Sequence, residues 1–164
     1  MERRMSKEFN VKETVKELES GQVPSWIQDH IRRYIETNGK DGHYFDASSV
    51  GASGLVPSLL LTTTGRRSGR RSTMPLFYGE TENGYVVIGS KGGSDTHPAW
   101  HLNLLADPHA EVQVGELHYS VKARLAEGDE RSRLWDQMVS VYPPYTKYQQ
   151  ATGRAIPVVV LERV

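Results

Sequence analysis

The sequence predicts an α+β domain in which about six strands, mostly antiparallel, form a barrel flanked by helices. Three observations predict it. The chain has 164 residues, enough for one domain with a real hydrophobic core. Its strand-like runs come in pairs around short turns, with helices placed between the hairpins. Strand and helix do not alternate regularly, which argues against a doubly wound parallel sheet.

A first helix is expected over 10–21. Asn10 can cap it, Glu13 sits in the capping-box position, Val11, Val15 and Leu18 recur at helical spacing, and Gly21 closes it. A second helix starts near Pro24. Trp26, Ile27, His30, Ile31, Tyr34 and Ile35 make one stripe that reads as ordinary packing, and Asn38-Gly39 ends it. Segment 39–54, rich in Gly, Ser and Asp, reads as a loop. Residues 59–64 read as a buried strand, followed by a basic loop over 65–71. Residues 74–80 and 85–90 read as a hairpin about Glu82-Asn83-Gly84, with Pro75 marking an edge or bulge. A glycine loop at 91–94 leads to a helix that Asp95 or Thr96 can cap, with Pro98 in its first turn and Trp100, Leu102, Leu104 and Leu105 as its apolar residues. A hairpin about Gly115-Glu116 joins 110–114 to 117–125. A helix over 129–142 carries Leu134, Trp135, Met138, Val139 and Tyr142 on one side, and Pro143-Pro144 breaks it. Residues 156–161 form a terminal strand. The organisation expected is an N-terminal helical segment, 1–54, packed on a barrel domain, 55–164.

Composition narrows the function. There is no cysteine, so disulfides, thiolate metal sites and cysteine nucleophiles are excluded and a reducing compartment is the natural reading. The formal net charge is zero, which disfavours a nucleic-acid binder. No run approaches the ~18–20 apolar residues of a membrane span, and the charged Met1-Glu2-Arg3-Arg4 start lacks the apolar stretch of a signal peptide. The expected location is the cytoplasm, with peripheral contact at a membrane left open.

Three features can carry chemistry. Arg66, Arg67, Arg70 and Arg71 crowd one glycine-bearing turn after a strand. This is either a solvated basic loop or an anion site, since guanidinium forks and glycine backbone N–H groups both suit phosphate or carboxylate. Gly89-Ser90-Lys91-Gly92-Gly93-Ser94 links a strand end to a helix start, where anions are also favoured, but it is neither a Walker loop nor a Rossmann fingerprint. Tyr142, Tyr145 and Tyr148 recur at a spacing of three, either as aromatic packing or as a pocket wall of phenols. His97 and His101 are four apart, but no third ligand follows at a matching spacing, so no metal site is expected. No G-x-S-x-G elbow supports a serine hydrolase.

Thr63-Thr64-Gly65-Arg66-Arg67-Ser68-Gly69, Pro75-Leu76, Ser90-Lys91-Gly92-Gly93, Pro98-Ala99-Trp100-His101-Leu102-Asn103-Leu104, Tyr142-Pro143-Pro144-Tyr145 and Ile156-Pro157-Val158-Val159 occur in one order. That ordered set resembles the deazaflavin (coenzyme F420)-dependent nitroreductase family over about residues 55–164. The resemblance implies a split β-barrel like that of FMN-binding oxidoreductases, with reduced F420 as hydride donor to a small electron-poor acceptor: a quinone, an enone or unsaturated lactone, or a nitroaromatic. F420 carries a phosphodiester and a polyglutamate tail, which would lie at Arg66, Arg67 and Ser68. By the same resemblance Ser72, Met74, Pro75, Leu76 and Phe77 run along the cofactor. Gly89, Ser90 and Lys91 contact its ring or phosphate, and Ala99, Trp100, His101, Leu102 and Asn103 contact it from the helix start. Tyr145 lies beside the ring and, with Ser90, is the catalytic candidate; Phe77, Tyr142 and Tyr148 shape the substrate pocket. Two positions depart from the family pattern. Ser72 stands where the family has an arginine, with Arg71 one residue earlier, and Phe77 replaces a tyrosine. The alternatives are FMN on the same barrel, or a non-catalytic carrier of F420 or another ligand. Monomer and homodimer both remain open.

Overall fold

The computed structural model describes Lys16 and residues 23–48 and 54–164. Apart from Lys16, the helix expected over 10–21 lies outside the described residues.

Helix α1 spans Ser25–Glu36 after an extended Pro24 and buries Ile27, His30 and Tyr34, one face at helical spacing. Two contacts lock its far end. The Tyr34 hydroxyl accepts the Gly115 N–H at 2.8 Å and donates to the Ser58 carbonyl at 2.9 Å. Gly39 takes φ +85°, and a Cβ there would lie 2.4 Å from Gly115 Cα, so only glycine fits this close approach. Segment 39–54 is not all loop. Tyr44–Asp46 forms β1, which pairs with the start of β2 (Leu55–Thr64) in the register Tyr44↔Pro57 to Asp46↔Leu55. No β pattern is legible in so short a run; the pairing comes from the edge that β2 offers.

The expected hairpin over 74–90 divides in two. Arg71–Phe77 forms β3 and pairs back onto β2, from Thr64↔Arg71 to Ser58↔Phe77. Of this stretch only β4 (Gly79–Thr81) pairs with β5 (Gly84–Ile88), across a turn of Glu82 and Asn83, so the expected Asn-Gly pair is split between turn and strand. Pro75 sits on β3, which among the described residues pairs with β2 alone, so its missing N–H interrupts no central ladder. A 3₁₀ turn at Lys91–Gly93 precedes α2 (Ala99–Ala106). The cap of α2 is the backbone of Pro98 rather than Asp95 or Thr96. Those side chains are engaged elsewhere: Asp95 accepts from Thr152 and Thr96 accepts from Lys91. β6 (His109–Val114) and β7 (Leu117–Leu125) form the expected hairpin; α3 (Gly128–Val141), α4 (Tyr145–Gln150) and β8 (Val158–Arg163) complete the chain.

The sheet order is β1-β2-β6-β7-β8-β5-β4, with β3 on β2, and every pairing is antiparallel. Two three-residue strands, β1 and β4, account for the excess over the expected six. Among the described residues no ladder joins β3 to β5, so the curled sheet is a barrel split at that seam. Val158 and Val160 face one core, beneath α3 and α4; Val159 and Leu161 face the other, beneath α2. Burial on both faces explains why these strands read as unbroken apolar runs. No helix among the described residues is long and apolar enough to cross a membrane.

Candidate functional site

The seam between β3 and β5 opens into a cavity of about 450 Å³. β3 lines it with Ser72, Met74, Pro75, Leu76 and Phe77; its unpaired edge is what permits a ligand to lie along it. The loop after β5 contributes Ser90, Lys91 and Gly92, and the start of α2 contributes Ala99, Trp100 and Leu102. Tyr142, Tyr145 and Tyr148 close one side.

A second cavity, about 320 Å³, lies under the basic loop. Arg66, Arg67, Arg70 and Arg71 line it with Ser68 and Asn103. Arg66, Ser72 and Ala99 line both cavities, so the two form one groove. One end presents guanidinium groups, the other an aromatic wall, and no Asp or Glu among the described residues lines either.

Asn103 organises the basic end. It is 5% exposed. Its Oδ1 accepts both the backbone N–H and the Nη1 of Arg66, each at 3.1 Å, and its Nδ2 donates to Thr63 Oγ1 at 3.0 Å. The register Thr63↔Ser72 and Thr64↔Arg71 separates the two residues of the family departure. Ser72 reaches both cavities, whereas Arg71 lines only the basic one and is paired with Glu111 at 3.1 Å.

At the aromatic end the three phenols differ. Tyr142 and Tyr148 hydrogen-bond each other at 2.7 Å. The Tyr145 hydroxyl has no partner among the described residues, although the ring is held by Tyr142 at 4.9 Å and by Trp135 and Tyr148 at 6.2 Å. Burial, reinforced by Tyr148, pushes Tyr145 far above the ordinary phenol range, so it stays protonated and can donate. Ser90 is buried, lines the cavity, and its hydroxyl likewise has no partner among the described residues. Phe77 packs on Tyr142 at 4.8 Å and on Phe45 at 5.8 Å.

Of the expected contact residues, Gly89 and His101 line neither cavity. The Gly89 N–H donates to the Pro157 carbonyl at 2.9 Å, and a Cβ on it would meet the Pro157 ring at 2.8 Å, so the residue faces Pro157, just ahead of β8. His101 is turned inward from α2; its Nδ1 is buried with no partner among the described residues, and burial, with His97 and Arg154 nearby, lowers its pKa to about 4.

Sequence reasoning missed one whole wall. Trp26, Ile27 and His30 from α1 and Phe45 from β1 also line the cavity. The α1 stripe is legible in sequence, but a stripe that packs and a stripe that borders a cavity look alike. Arg154 was also missed. It bonds the carbonyls of Gly89, Ser90 and Ser94, yet stands in the sequence as an isolated arginine.

The sequence matches the model of the F420H(2)-dependent quinone reductase family over residues 26–163. The chain belongs to that family. An F420H(2)-dependent quinone reductase of Mycobacterium tuberculosis is 35% identical over 154 residues, covering 86% of this chain and 98% of the relative. A solved F420-H2 dependent reductase, FDR-A, is 42% identical with a TM-score of 0.61, covering 65% of this chain and 94% of that one. A second solved chain, described as a domain-swapped dimer, is 37% identical with a TM-score of 0.63, covering 84% and 98%. The protein is therefore an oxidoreductase with a split β-barrel, and its hydride donor is reduced F420. The donor set present fits that coenzyme: guanidinium groups for an anionic tail, an apolar and aromatic slot for a planar ring, and a continuous path between them.

Proposed function

We propose that this chain reduces a quinone, or a similarly flat electron-poor carbonyl or nitro compound, at the tyrosine end of the groove. The observation that carries the reading is the continuity of the basic and aromatic cavities through Arg66, Ser72 and Ala99. In this reading Arg66, Arg67 and Ser68 hold the anionic part of F420, with Arg66 pre-set by Asn103. Ser72, Met74, Pro75, Leu76 and Phe77 form one side of the slot, and Ser90, Lys91, Ala99, Trp100 and Leu102 the other. When bound, the reduced coenzyme supplies the hydride.

The protein's part is electrostatic and steric. Hydride addition leaves negative charge on an acceptor oxygen. Tyr145 and Ser90 donate hydrogen bonds to that oxygen; both line the cavity, and neither hydroxyl has a partner among the described residues. Tyr145 remains a hydrogen-bond donor and does not surrender its proton, because a phenolate at so buried a position is strongly disfavoured. The acceptor's proton comes from solvent. Trp26, Phe45, Phe77 and Tyr142 exclude water from the faces of the acceptor ring and favour a flat, apolar substrate. The absence of cysteine suits a cytoplasmic setting.

Anaerobic turnover tests the reading. The purified protein with reduced F420 should oxidise it when a quinone is added, and more slowly with a bulky non-planar enone. F420 binding without oxidation by any acceptor would overturn it in favour of a carrier.

A further inference from the structure

The loop between β5 and α2 holds an unusual backbone. Lys91, Gly92 and Gly93 follow one another at φ +46°, +63° and +87°. For lysine the left-handed region is disfavoured, and such a residue persists only when its surroundings over-determine it.

Arg154 supplies the constraint. Its Nε donates to the Ser94 carbonyl at 2.7 Å, its Nη2 to the Ser90 carbonyl at 2.8 Å, and its Nη1 to the Gly89 carbonyl at 3.2 Å. Nη1 also reaches His97 Nδ1 at 3.0 Å. A guanidinium only donates, so His97 Nδ1 must be the acceptor and the imidazole proton sits on Nε2. A second proton on His97 would break this contact. The arginine backbone is itself tied to the tyrosine helix: Gln149 of α4 donates to the Arg154 carbonyl at 2.8 Å and accepts the Ile156 N–H at 3.0 Å. Thr152 adds a bond to Asp95 at 2.7 Å.

We propose that Arg154 is a positioning residue that sets the Ser90–Gly92 loop, and so the Ser90 hydroxyl, at a fixed place relative to Tyr145. The link runs from Tyr145 on α4 through Gln149 to the Arg154 backbone, then through the guanidinium to the loop carbonyls. The same side chain selects the Nε2–H form of His97, which lines the cavity. The proposal rests on the reading of Ser90 and Tyr145 as the pair that holds the acceptor oxygen.

The test uses the full chain with Arg154→Met, which keeps the stem, and Arg154→Lys, which keeps the charge and carries the same readouts should the first variant not fold. Without coenzyme, amide hydrogen exchange in residues 90–97 should quicken at least tenfold while β2, β6, β7 and β8 keep wild-type protection. The ¹⁵N spectrum of His97 should change from the single Nε2–H form to a mixture. With coenzyme and a quinone, turnover should fall about tenfold or more with KM changed less than threefold, and adding Ser90→Ala should cause little further loss. Wild-type loop exchange and an unchanged His97 spectrum would overturn the proposal. So would faster exchange spread evenly over the barrel, or losses that multiply in the double variant. If Ser90→Ala alone leaves turnover unchanged, the reading of Ser90 as the oxygen contact fails, while loop exchange and the His97 spectrum still judge Arg154.

Discussion

Replacing Tyr145 by phenylalanine separates a catalytic phenol from a structural one. The Tyr145 ring is fixed by Trp135, Tyr142 and Tyr148, and those contacts survive the change. Its hydroxyl has no protein partner among the described residues, so its removal orphans nothing. Stability should shift by less than about 0.5 kcal/mol. A hydrogen bond to a charged group is worth about 1.5–3 kcal/mol, so losing the donor to the acceptor oxygen should lower turnover by roughly 10–100-fold. F420 affinity should change less than about threefold, because the phenol is assigned to the acceptor and not to the anionic tail. Tyr142→Phe is the contrast. It breaks the 2.7 Å bond to Tyr148 and leaves that hydroxyl without its partner. It should destabilise the protein by about 1 kcal/mol while turnover stays within about threefold. Anaerobic absorbance traces of reduced-F420 oxidation give turnover, equilibrium titration gives affinity, and thermal melts give stability. Wild-type turnover in Tyr145→Phe would refute the assignment.

Three further outcomes follow from other parts of the molecule. Asn103→Leu removes both acceptor bonds that set Arg66 and strands Thr63, so F420 affinity should fall about tenfold or more by titration, with a loss of about 1–3 kcal/mol in stability. Gly39→Ala drives a Cβ into the Gly115 backbone at a positive φ and should destabilise by more than about 2 kcal/mol in urea unfolding, without altering F420 affinity in the folded fraction. His101 is depressed from an ordinary 6.5 to about 4, so the unfolded chain binds its proton first as the pH falls. The stability held above about pH 6.5 should therefore drop by up to about 3 kcal/mol as pH falls through about 4; denaturant melts of His101→Leu should show a shallower decline across that window.

The barrel was legible where local chemistry and tertiary need coincide. Asn83-Gly84 flags the β4–β5 reversal, although the two turn residues are Glu82 and Asn83 and Gly84 is required because a Cβ there would run into the Leu161 backbone; 158–161 reads as strand because two cores bury alternate residues of β8. The partner of β3 was not legible. The loop to β2 closes through Gly65 and Arg70 with no Asn-Gly signal, so the stronger turn at Asn83-Gly84 drew residues 74–80 into the wrong hairpin. β1 was hidden for a related reason: three residues carry no period. At the site, the basic loop and the tyrosines stand out because charge and phenols are unusual in clusters. Gly89 and His101 share the same motifs but point into the fold, a distinction of direction that spacing does not encode. The α1 wall and Arg154 act only through residues far off in sequence.

The most direct test of the groove is a comparison of two ligands: intact F420, and a deazaflavin fragment that ends before the phosphodiester. Fluorescence titration of wild type and Arg66→Ala at low and high salt should show the variant losing tenfold or more in affinity for intact F420, most strongly at low salt, with the fragment unaffected. Equal affinities of wild type and variant for intact F420 at both salt concentrations, or an equal loss for the fragment, would contradict the assignment of the arginine cavity to the anionic tail.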